Sequence, residues 1–303
     1  MSLSTLLRRT TAWATAIYFQ DRLTLPPLGA PARVFASKRL LRGPQHVHTR
    51  ADPFLFAHGG CLYLFLEKQA GQEAGWIDGY VAGEDGRFTP LGEILREDFH
   101  LSYPYVFCEG EHIYLLPESE AAGEVRLYRF ENFPRTPRFA RTLLTGRYVD
   151  PSLVKVDGLW FLFATSARGL ELFHTDDLVG GTLRLHPASP ITADPRFARC
   201  GGAPIWHEGR LLRLAQNGSG LYGGNLSLLE ITAISPTDYA ETLHQADIFD
   251  GSSPWNRQGG HHLSVAPFRG GLAVAIDGQV YDYYLHKIVG LLHRRLRQLR
   301  RGR

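Results

Sequence analysis

Cysteine, methionine and long apolar runs are scarce in this chain of 303 residues. It has three cysteines, Cys61, Cys108 and Cys200, and one methionine. An odd number of cysteines without a pairing pattern argues against a disulfide framework, and their spacing does not match a zinc site. The apolar stretch at residues 12–19 is too short to span a bilayer and has no convincing signal-peptide cleavage region after it. We therefore expect a cytoplasmic protein.

A net positive charge is confined to one end of the chain. Residues 286–303 hold seven Lys or Arg and no acid, so the formal net charge of +3 leaves −4 on the remainder. A mildly acidic body argues against nucleic-acid binding by the rest of the protein, although the overall pI is basic.

The basic segment has a helical period. Its apolar residues, which lie opposite the Arg face, are Leu285, Ile288, Val289, Leu292, Leu296 and Leu299. This pattern predicts a short basic amphipathic helix at 285–303. Such a helix either lies at the inner face of the membrane or docks on the protein with its basic face in solvent. Arg8, Arg9 and the stretch 12–19 would add a second weak membrane contact.

What the chain has in abundance is a repeated hairpin: a special first residue, an apolar strand, a Gly turn and a second apolar strand. The five copies begin at Asp52, Tyr103, Asp150, Gly202 and His262, which are 51, 47, 52 and 60 residues apart. This period is typical of four-stranded propeller blades. We predict an all-β fold, a five-bladed β-propeller over residues 46–284. Residues 1–45 would form an N-terminal segment that partly closes the ring with a strand near 33–41.

Polar residues occupy the positions where these hairpins should meet. The residue fifteen places after each first residue should lie beside it, because the strands of a hairpin are antiparallel. These second positions are Glu67, Glu118, Thr165, Asn217 and Asp277. Since the apolar core does not require polar residues there, the sequence predicts a polar funnel where the innermost strands begin.

Carboxylates in this funnel suggest glycosidic-bond chemistry. Asp52 and Asp150 each begin a blade with Asp-Pro, and two carboxylates across a sugar ring can act as base or nucleophile and as acid or charge-tuning group. Asp-Pro can also simply begin a strand, with the Asp capping the turn before it. Glu118 and Glu67 are candidate general acids, since burial raises the pKa of a carboxyl. Either can instead pair with an arginine such as Arg199.

Further polar residues predict recognition of hydroxyl or phosphate groups. His261 and His262 point to opposite faces of a strand, and we favour His262, at the repeated position, as acid or phosphate ligand. Arg199 and Gly202 offer a cation and bare backbone. The other candidates for substrate binding are His100, Ser102, Tyr103, Gln216, Asn217, Tyr222 and Asp277. No compact ligand spacing indicates a metal, and we expect no cofactor.

Several motifs in combination resemble the N-terminal domain of plant glucosamine inositolphosphorylceramide transferases and its stand-alone bacterial relatives. These motifs are residues 51–56, 100–104, 116–118, 199–202 and 216–223. More distantly, the Asp-Pro starts are similar to the propeller glycoside hydrolases of families 32, 43, 117 and 130. That resemblance implies that Asp52 is the base and Asp150 tunes its charge. The acidic Glu that it implies in blade four is replaced here by Gly201-Gly202.

Three functions fit these features, each with a carbohydrate or sugar-phosphate ligand. The first is an enzyme that makes or remodels a glycosidic linkage in polysaccharide or glycolipid assembly. The second is a propeller-type glycoside hydrolase with Glu118 as the acid. The third is a non-catalytic glycan-binding module that uses aromatic residues such as Tyr105, Trp206 and Tyr222.

Overall fold

Twenty-one β-strands form five antiparallel sheets in the computed structural model, which describes residues 9–36, 47–71 and 73–283. Each sheet is one blade of a five-bladed β-propeller, so the predicted all-β fold is confirmed. The helix predicted at 285–303 lies outside the described residues. Within the described ranges, helical structure is confined to a 3-10 turn at Glu120–Ala122, and no helix has the length and apolar character needed to cross a membrane.

Blades one and two are built from strands consecutive in the chain. Two N-terminal strands, β1 (Arg9–Gln20) and β2 (Arg33–Phe35), come first and belong to blade five. The turn between the first two strands of blade one consists of Gly59 and Gly60, which both adopt the positive φ angles that glycine accommodates readily. Blade one consists of β3 (Val47–His58), β4 (Cys61–Ala70), β5 (Trp76–Ala82) and β6 (Phe88–Leu95), and blade two of β7 (Ser102–Glu109), β8 (His112–Glu118), β9 (Glu124–Asn132) and β10 (Arg135–Thr145).

Blades three and four follow the same order, but the innermost strand of blade four is broken. Its two short pieces, β15 (Arg199–Cys200) and β16 (Ile205–His207), both pair with β17 (Arg210–Asn217). Blade three consists of β11 (Val149–Val156), β12 (Leu159–Ser166), β13 (Gly169–Thr175) and β14 (Arg184–Leu185), and blade four of β15 (Arg199–Cys200), β16 (Ile205–His207), β17 (Arg210–Asn217), β18 (Asn225–Ile234) and β19 (Tyr239–Gln245).

Blade five joins the two ends of the chain. Its sheet has the order β2, β1, β21 (Gly271–Tyr283), β20 (Leu263–Phe268). The sequence predicted that residues near 33–41 supply the missing strand, and Arg33–Phe35 does form the outermost strand of this blade. The long strand beside β21 is β1, which the sequence had not assigned to the propeller. Side chains 12–18 are buried. They are therefore not available for the membrane contact that this apolar stretch suggested.

The hydrophobic core is divided among the five interfaces between neighbouring blades. Blades two and three, for example, bury Phe107, Leu127 and Trp160 against one another. Four further clusters occupy the other interfaces. Burying a large apolar side chain stabilises the fold by about 1.5–3 kcal/mol, so packing between blades, rather than a single central core, holds the ring together and leaves its axis free for polar groups.

Candidate active site at the centre of the propeller

A cavity of about 200 Å³ opens where the innermost strands of the blades begin. All five blades contribute to it, because the start of each inner hairpin faces the axis. Among the predicted site residues, those that line the cavity are Asp52, Glu67, His100, Ser102, Glu118, Asp150, Arg199, Tyr222 and His261.

One backbone irregularity recurs at the start of the inner strands of blades one to three. Asp52, Tyr103 and Asp150 adopt left-handed φ angles of 50°, 50° and 52°. Each lies at a register shift between the first and second strands of its blade. A non-Gly residue in this conformation costs about 1–3 kcal/mol, and a bulge redirects the side chains beside it. The repeated strain is the kind found where a fold positions functional groups.

Asp52 is a buried carboxyl surrounded by other charged groups. Its Oδ2 accepts the N–H of Tyr103 at 3.2 Å, and its own N–H donates to Asp277 Oδ2 at 3.3 Å. Burial raises the pKa of Asp52 to about 8, a shift that His261 opposes and the charges of Glu67, Asp277 and Asp150 increase. A pKa near neutral suits a group that gives and takes protons.

Asp150 and Glu118 form the opposite side of the cavity. Arg199 Nε lies 2.6 Å from Asp150 Oδ2, and Gln216 Nε2 donates to the same oxygen at 3.2 Å. The N–H of Asp150 donates to Glu118 Oε2 at 2.9 Å. Burial, assisted by the charge of Asp150, raises the pKa of Glu118 well above its usual range. Glu118 therefore favours the protonated form, whereas the Asp150 carboxylate is paired with a cation.

His261 connects Trp13 to two carboxylates. Its ring stacks on Trp13 with centroids 4.2 Å apart and planes at 24°. Its Nδ1 lies 2.6 Å from Asp277 Oδ2, and its Nε2 lies 3.6 Å from Asp52 Oδ1. Burial lowers the pKa of His261, but the charge and hydrogen bonding of Asp277 outweigh that effect and raise the pKa to about 9. The imidazolium form thus faces Asp52 at neutral pH.

The mouth of the cavity carries a second histidine. His100 Nδ1 accepts the N–H of Gly75 at 2.9 Å, and its Nε2 lies 3.3 Å from Glu67 Oε1. A neutral His100 with its proton on Nε2 satisfies both contacts. His100 therefore orients Glu67 at the edge of the cavity.

Two predicted ligand-binding residues instead lie behind the cavity wall as structural contacts. The hydroxyl of the fully buried Tyr103 accepts the N–H of Gly202 at 2.6 Å and lies 2.7 Å from Ser152 Oγ. A Cβ at Gly202 would stand 2.1 Å from the carbonyl oxygen of Leu263. Blade four thus has no room for a side chain at this repeated position, which gives the missing acidic residue a steric explanation.

Of the two adjacent histidines, which precede β20, His261 lines the cavity and His262 does not. His262 is fully buried, with its ring 4.4 Å from that of Phe54 and 5.0 Å from that of Tyr103. Burial lowers the pKa of His262 to about 3. This neutral ring packs among aromatics and does not face the cavity, contrary to the sequence-based preference.

The remaining three predicted residues do not line the cavity. Asp277 is fully buried and holds His261, and Gln216 is buried and holds Asp150, so these two orient groups that face the cavity. Asn217 Nδ2 donates to Asp247 Oδ1 at 3.2 Å, a contact outside the cavity lining.

Four further residues line the cavity that were not predicted from the sequence: Trp13, Thr49, Ala51 and Gln69. Thr49 and Ala51 share a face of β3, and Gln69 lies two residues after Glu67 on β4. Extending the two-residue strand period from Glu67 gives Gln69, and the cross-strand partners of Glu67 and Gln69 are Ala51 and Thr49. Trp13 had no such signal, because it lies in an N-terminal strand far from the repeats.

Three groups at the base of the cavity have the chemistry of metal ligands. One ligand atom each from Asp52, His261 and Asp277 lies within 4.8 Å of the others, and all three residues are buried. Such a set of carboxylates and imidazole suits a divalent cation. In the described structure, His261 and Asp277 form an ion pair, so the positive charge of the imidazolium already neutralises the carboxylate of Asp277.

We expect the stability of the protein to fall as pH rises through the titration of His261. Its pKa is raised from 6.5 to about 9, so the pair with Asp277 contributes fully below about pH 6.5 and is lost as pH passes 9. At about 1.4 kcal/mol per unit of pKa shift, the loss is a few kcal/mol. The pKa of Asp52 is raised to about 8, so the ionisation of this carboxyl also lowers the free energy of unfolding as pH rises from about 4 to 8. Urea unfolding between pH 6 and 10 measures the sum of these effects.

His261→Gln isolates the contribution of the histidine. We expect this variant to be less stable than the wild type at pH 6 and to lose less stability between pH 6.5 and 9. His112→Gln, at an exposed hairpin position, is the matched control. Parallel stability curves for His261→Gln and the wild type up to pH 9 would contradict the assignment.

Fold and site together define a five-bladed propeller with a carboxylate-lined central cavity. The fold is similar to that of carbohydrate-active enzymes of known structure. A family 117 glycoside hydrolase from Zobellia galactanivorans superposes with a TM-score of 0.54 at 11% identity, covering 88% of this chain and 90% of that one. A β-1,2-mannobiose phosphorylase from Listeria innocua gives 0.56 at 11% identity, covering 84% and 95%. At these identities the similarity concerns the fold alone.

The sequence itself gives the family. The chain belongs to the family described as glucosamine inositolphosphorylceramide transferase 1, N-terminal, whose model matches residues 27–279. It is 33% identical over 244 residues to the rice (japonica) glucosamine inositolphosphorylceramide transferase 1 and 31% identical over 244 residues to that of Arabidopsis thaliana. Both matches cover 75% of this chain, and it spans about a third of the length of these curated relatives.

Proposed function

We propose that this propeller is an enzyme that transfers a sugar during glycolipid assembly. The observation that supports this most is the meeting of three carboxyl groups in one cavity, in different electrostatic environments. Burial raises the pKa of Asp52 to about 8 and that of Glu118 well above its usual range, whereas Asp150 is paired with Arg199. Carboxyls in contrasting environments are the arrangement that glycosidic-bond chemistry uses. The name of the relatives makes an inositol phospholipid the leading acceptor.

The proposed step moves two protons while one carbon–oxygen bond replaces another. Glu118, which holds its proton, donates it to the leaving-group oxygen of the donor as the anomeric C–O bond breaks. Asp52 accepts the proton of the acceptor hydroxyl in its ionised form, which the His261 imidazolium stabilises and which becomes the major form as pH passes its pKa of about 8. The new C–O bond forms in the same step. Proton exchange with solvent then restores both groups. The charge of Asp150 adds to the effect of burial in raising the pKa of Glu118, whereas Arg199 opposes this rise and holds Asp150 in place.

A transfer assay tests this function directly. Purified protein is incubated with nucleotide sugars or polyprenyl-phosphate sugars as donors and inositolphosphorylceramide as acceptor, and products are read by mass spectrometry. We expect the acceptor to gain one sugar with one of the donors, and Glu118→Gln to reduce the rate by about 10²-fold or more. Glu111→Gln, at an exposed turn of the same blade, is the control.

Other outcomes of this assay identify the alternative functions. Release of free sugar without an acceptor would indicate a hydrolase that uses the same two carboxyls. Saccharide binding with neither product would indicate a glycan-binding module. Absence of transfer, hydrolysis and binding across the donor set would overturn the proposal.

We further propose that the protein contacts an anionic membrane surface through residues 285–303, which places it on the inner, cytoplasmic face of the membrane. The proposal is supported by the seven basic residues at 286–303 and by the helical spacing of apolar residues there. In addition, β21 continues six residues beyond the site residue Asp277 to Tyr283. The chain therefore leaves the propeller on the side of the cavity, where a lipid substrate would have to enter.

Vesicle flotation measures this contact. We expect the protein to bind phosphatidylcholine vesicles that contain phosphatidylserine and not those without it. Deleting residues 285–303 should abolish binding, because each basic residue near the surface contributes about 1 kcal/mol. A variant with Arg135, Arg138 and Arg184 changed to Gln removes exposed charges elsewhere and should bind normally. Unchanged flotation of the deletion variant would refute the proposal.

A further inference from the structure

A second cleft adjoins the central cavity between blades three and four. Its volume is about 390 Å³, and it shares two lining residues, Arg199 and Tyr222, with the cavity. The end of β12 and the turn after it form one side, with Thr165, Ser166 and Arg168. The two spaces are thus neighbouring compartments with a common wall.

Tyr222 is the main element of that wall. It is 52% exposed, and its ring stands edge-on to His261 with centroids 5.4 Å apart. The guanidinium carbon of Arg199 lies 5.3 Å from the centre of the same ring. A tyrosine in this position offers an apolar face and a polar hydroxyl to a ligand that extends from one compartment into the other.

The charges around the second cleft are balanced. Arg168 forms two hydrogen bonds to the buried Glu171, at 3.1 and 2.8 Å, and Arg199 is paired with Asp150 at 2.6 Å. Because both cations already have carboxylate partners, the cleft lacks the excess positive charge that a phosphate requires. It favours an uncharged ligand.

Hydrogen-bonding groups nevertheless face this space. The hydroxyl of Thr165 donates to the carbonyl of Ala198, and that of Ser166 donates to Glu171, so each hydroxyl oxygen keeps acceptor capacity. The guanidinium of Arg168 has five N–H donors, more than its bonds to Glu171 use. A half-exposed aromatic ring, hydroxyl acceptors and balanced charge together match a polyhydroxylated ring with one apolar face.

We propose that the second cleft binds a further sugar or cyclitol ring of the same substrate, so that the site holds two linked rings on either side of Tyr222. This inference rests on the proposed function, in which the central cavity takes the first sugar. The cavity alone is smaller than the 300–1,000 Å³ typical of small-molecule sites, whereas the two compartments together fall within that range.

Affinities of one-ring and two-ring ligands test the proposal. The probes are matched pairs: glucosamine with glucosaminyl-inositol, mannose with β-1,2-mannobiose, and xylose with xylobiose, measured by ligand-observed NMR. For at least one pair we expect the two-ring ligand to bind roughly ten-fold more tightly. Ala167→Trp, at an exposed turn position that lines only the second cleft, should remove that ten-fold advantage and leave one-ring binding within about two-fold.

The control is Ala121→Trp, in the turn that follows the second strand of blade two. Ala121 is exposed and lines neither compartment, so its replacement should change neither affinity. Equal affinity for one and two rings in every pair, or an advantage that survives in Ala167→Trp, overturns the second subsite while leaving sugar binding by the cavity intact. If none of these saccharides binds, both the second subsite and sugar binding by the central cavity are overturned.

Discussion

Asp52→Asn is expected to lower the kcat for sugar transfer by about 10²–10⁴-fold, the usual contribution of a positioned general acid or base. The substitution removes a group whose pKa lies at about 8, close to neutral pH, and leaves an amide of the same shape. The amide oxygen can still accept the N–H of Tyr103, which Asp52 Oδ2 accepts at 3.2 Å in the wild type. The loss should therefore appear in kcat, with the fold intact by circular dichroism.

A matched variant separates loss of the carboxyl from a general effect of replacing Asp at a strained position. Asp157 has a φ of 49°, close to the 50° of Asp52, but lies exposed in the hairpin turn of blade three. Asp157→Asn should retain wild-type kcat. If Asp52→Asn keeps its kcat within ten-fold of the wild type on the substrate found in the transfer assay, Asp52 is not the proton-transfer group.

Arg213→Met is expected to lower the free energy of unfolding by about 3–5 kcal/mol, the range for breaking a buried ion pair. Arg213 is fully buried in blade four. It bonds both oxygens of Glu241, at 2.7 and 2.6 Å, and donates to the carbonyl of Phe197 at 3.0 Å. Removing the guanidinium leaves the carboxylate of Glu241 without its cation. Urea unfolding measures the change.

Two further variants locate the cause. Arg210→Met removes the same residue type from an exposed position on the same strand, 3.8 Å from Glu230, and should cost no more than about 1 kcal/mol. Arg213→Met combined with Glu241→Leu should recover much of the loss, since apolar residues often replace a buried pair without penalty. Equal losses in the Arg210 and Arg213 single variants would show that burial of the pair is not what matters.

The sequence was informative wherever a local pattern decided the outcome. The repeated hairpins predicted the propeller because an antiparallel hairpin with a two-residue side-chain period is set by neighbouring residues. The same register places the residues fifteen apart, such as Asp52 and Glu67, on one wall of the cavity. Glu118 and Asp150 followed from the same argument applied to blades two and three.

Closure of the ring could be predicted only in part. A strand near residues 33–41 was expected, and Arg33–Phe35 forms one, but the strand beside β21 is β1, whose apolar residues the prediction had assigned to a weak membrane contact. β1 and β21 are more than 250 residues apart in the chain, and their pairing depends on which sheet edge remains open in the folded ring. In addition, the sequence of an apolar stretch does not show whether it packs against a sheet or a membrane.

The sequence by itself determined the five hairpins, the polar residues at their starts and the family. Only the tertiary structure decided which of those residues share the cavity. It turned His261 toward the axis and His262 into the aromatic core, buried Tyr103 as a contact between blades, and brought Trp13 against His261. In an extended chain, neighbouring side chains point to opposite sides. Packing between the blades decides which of the two points toward the central cavity.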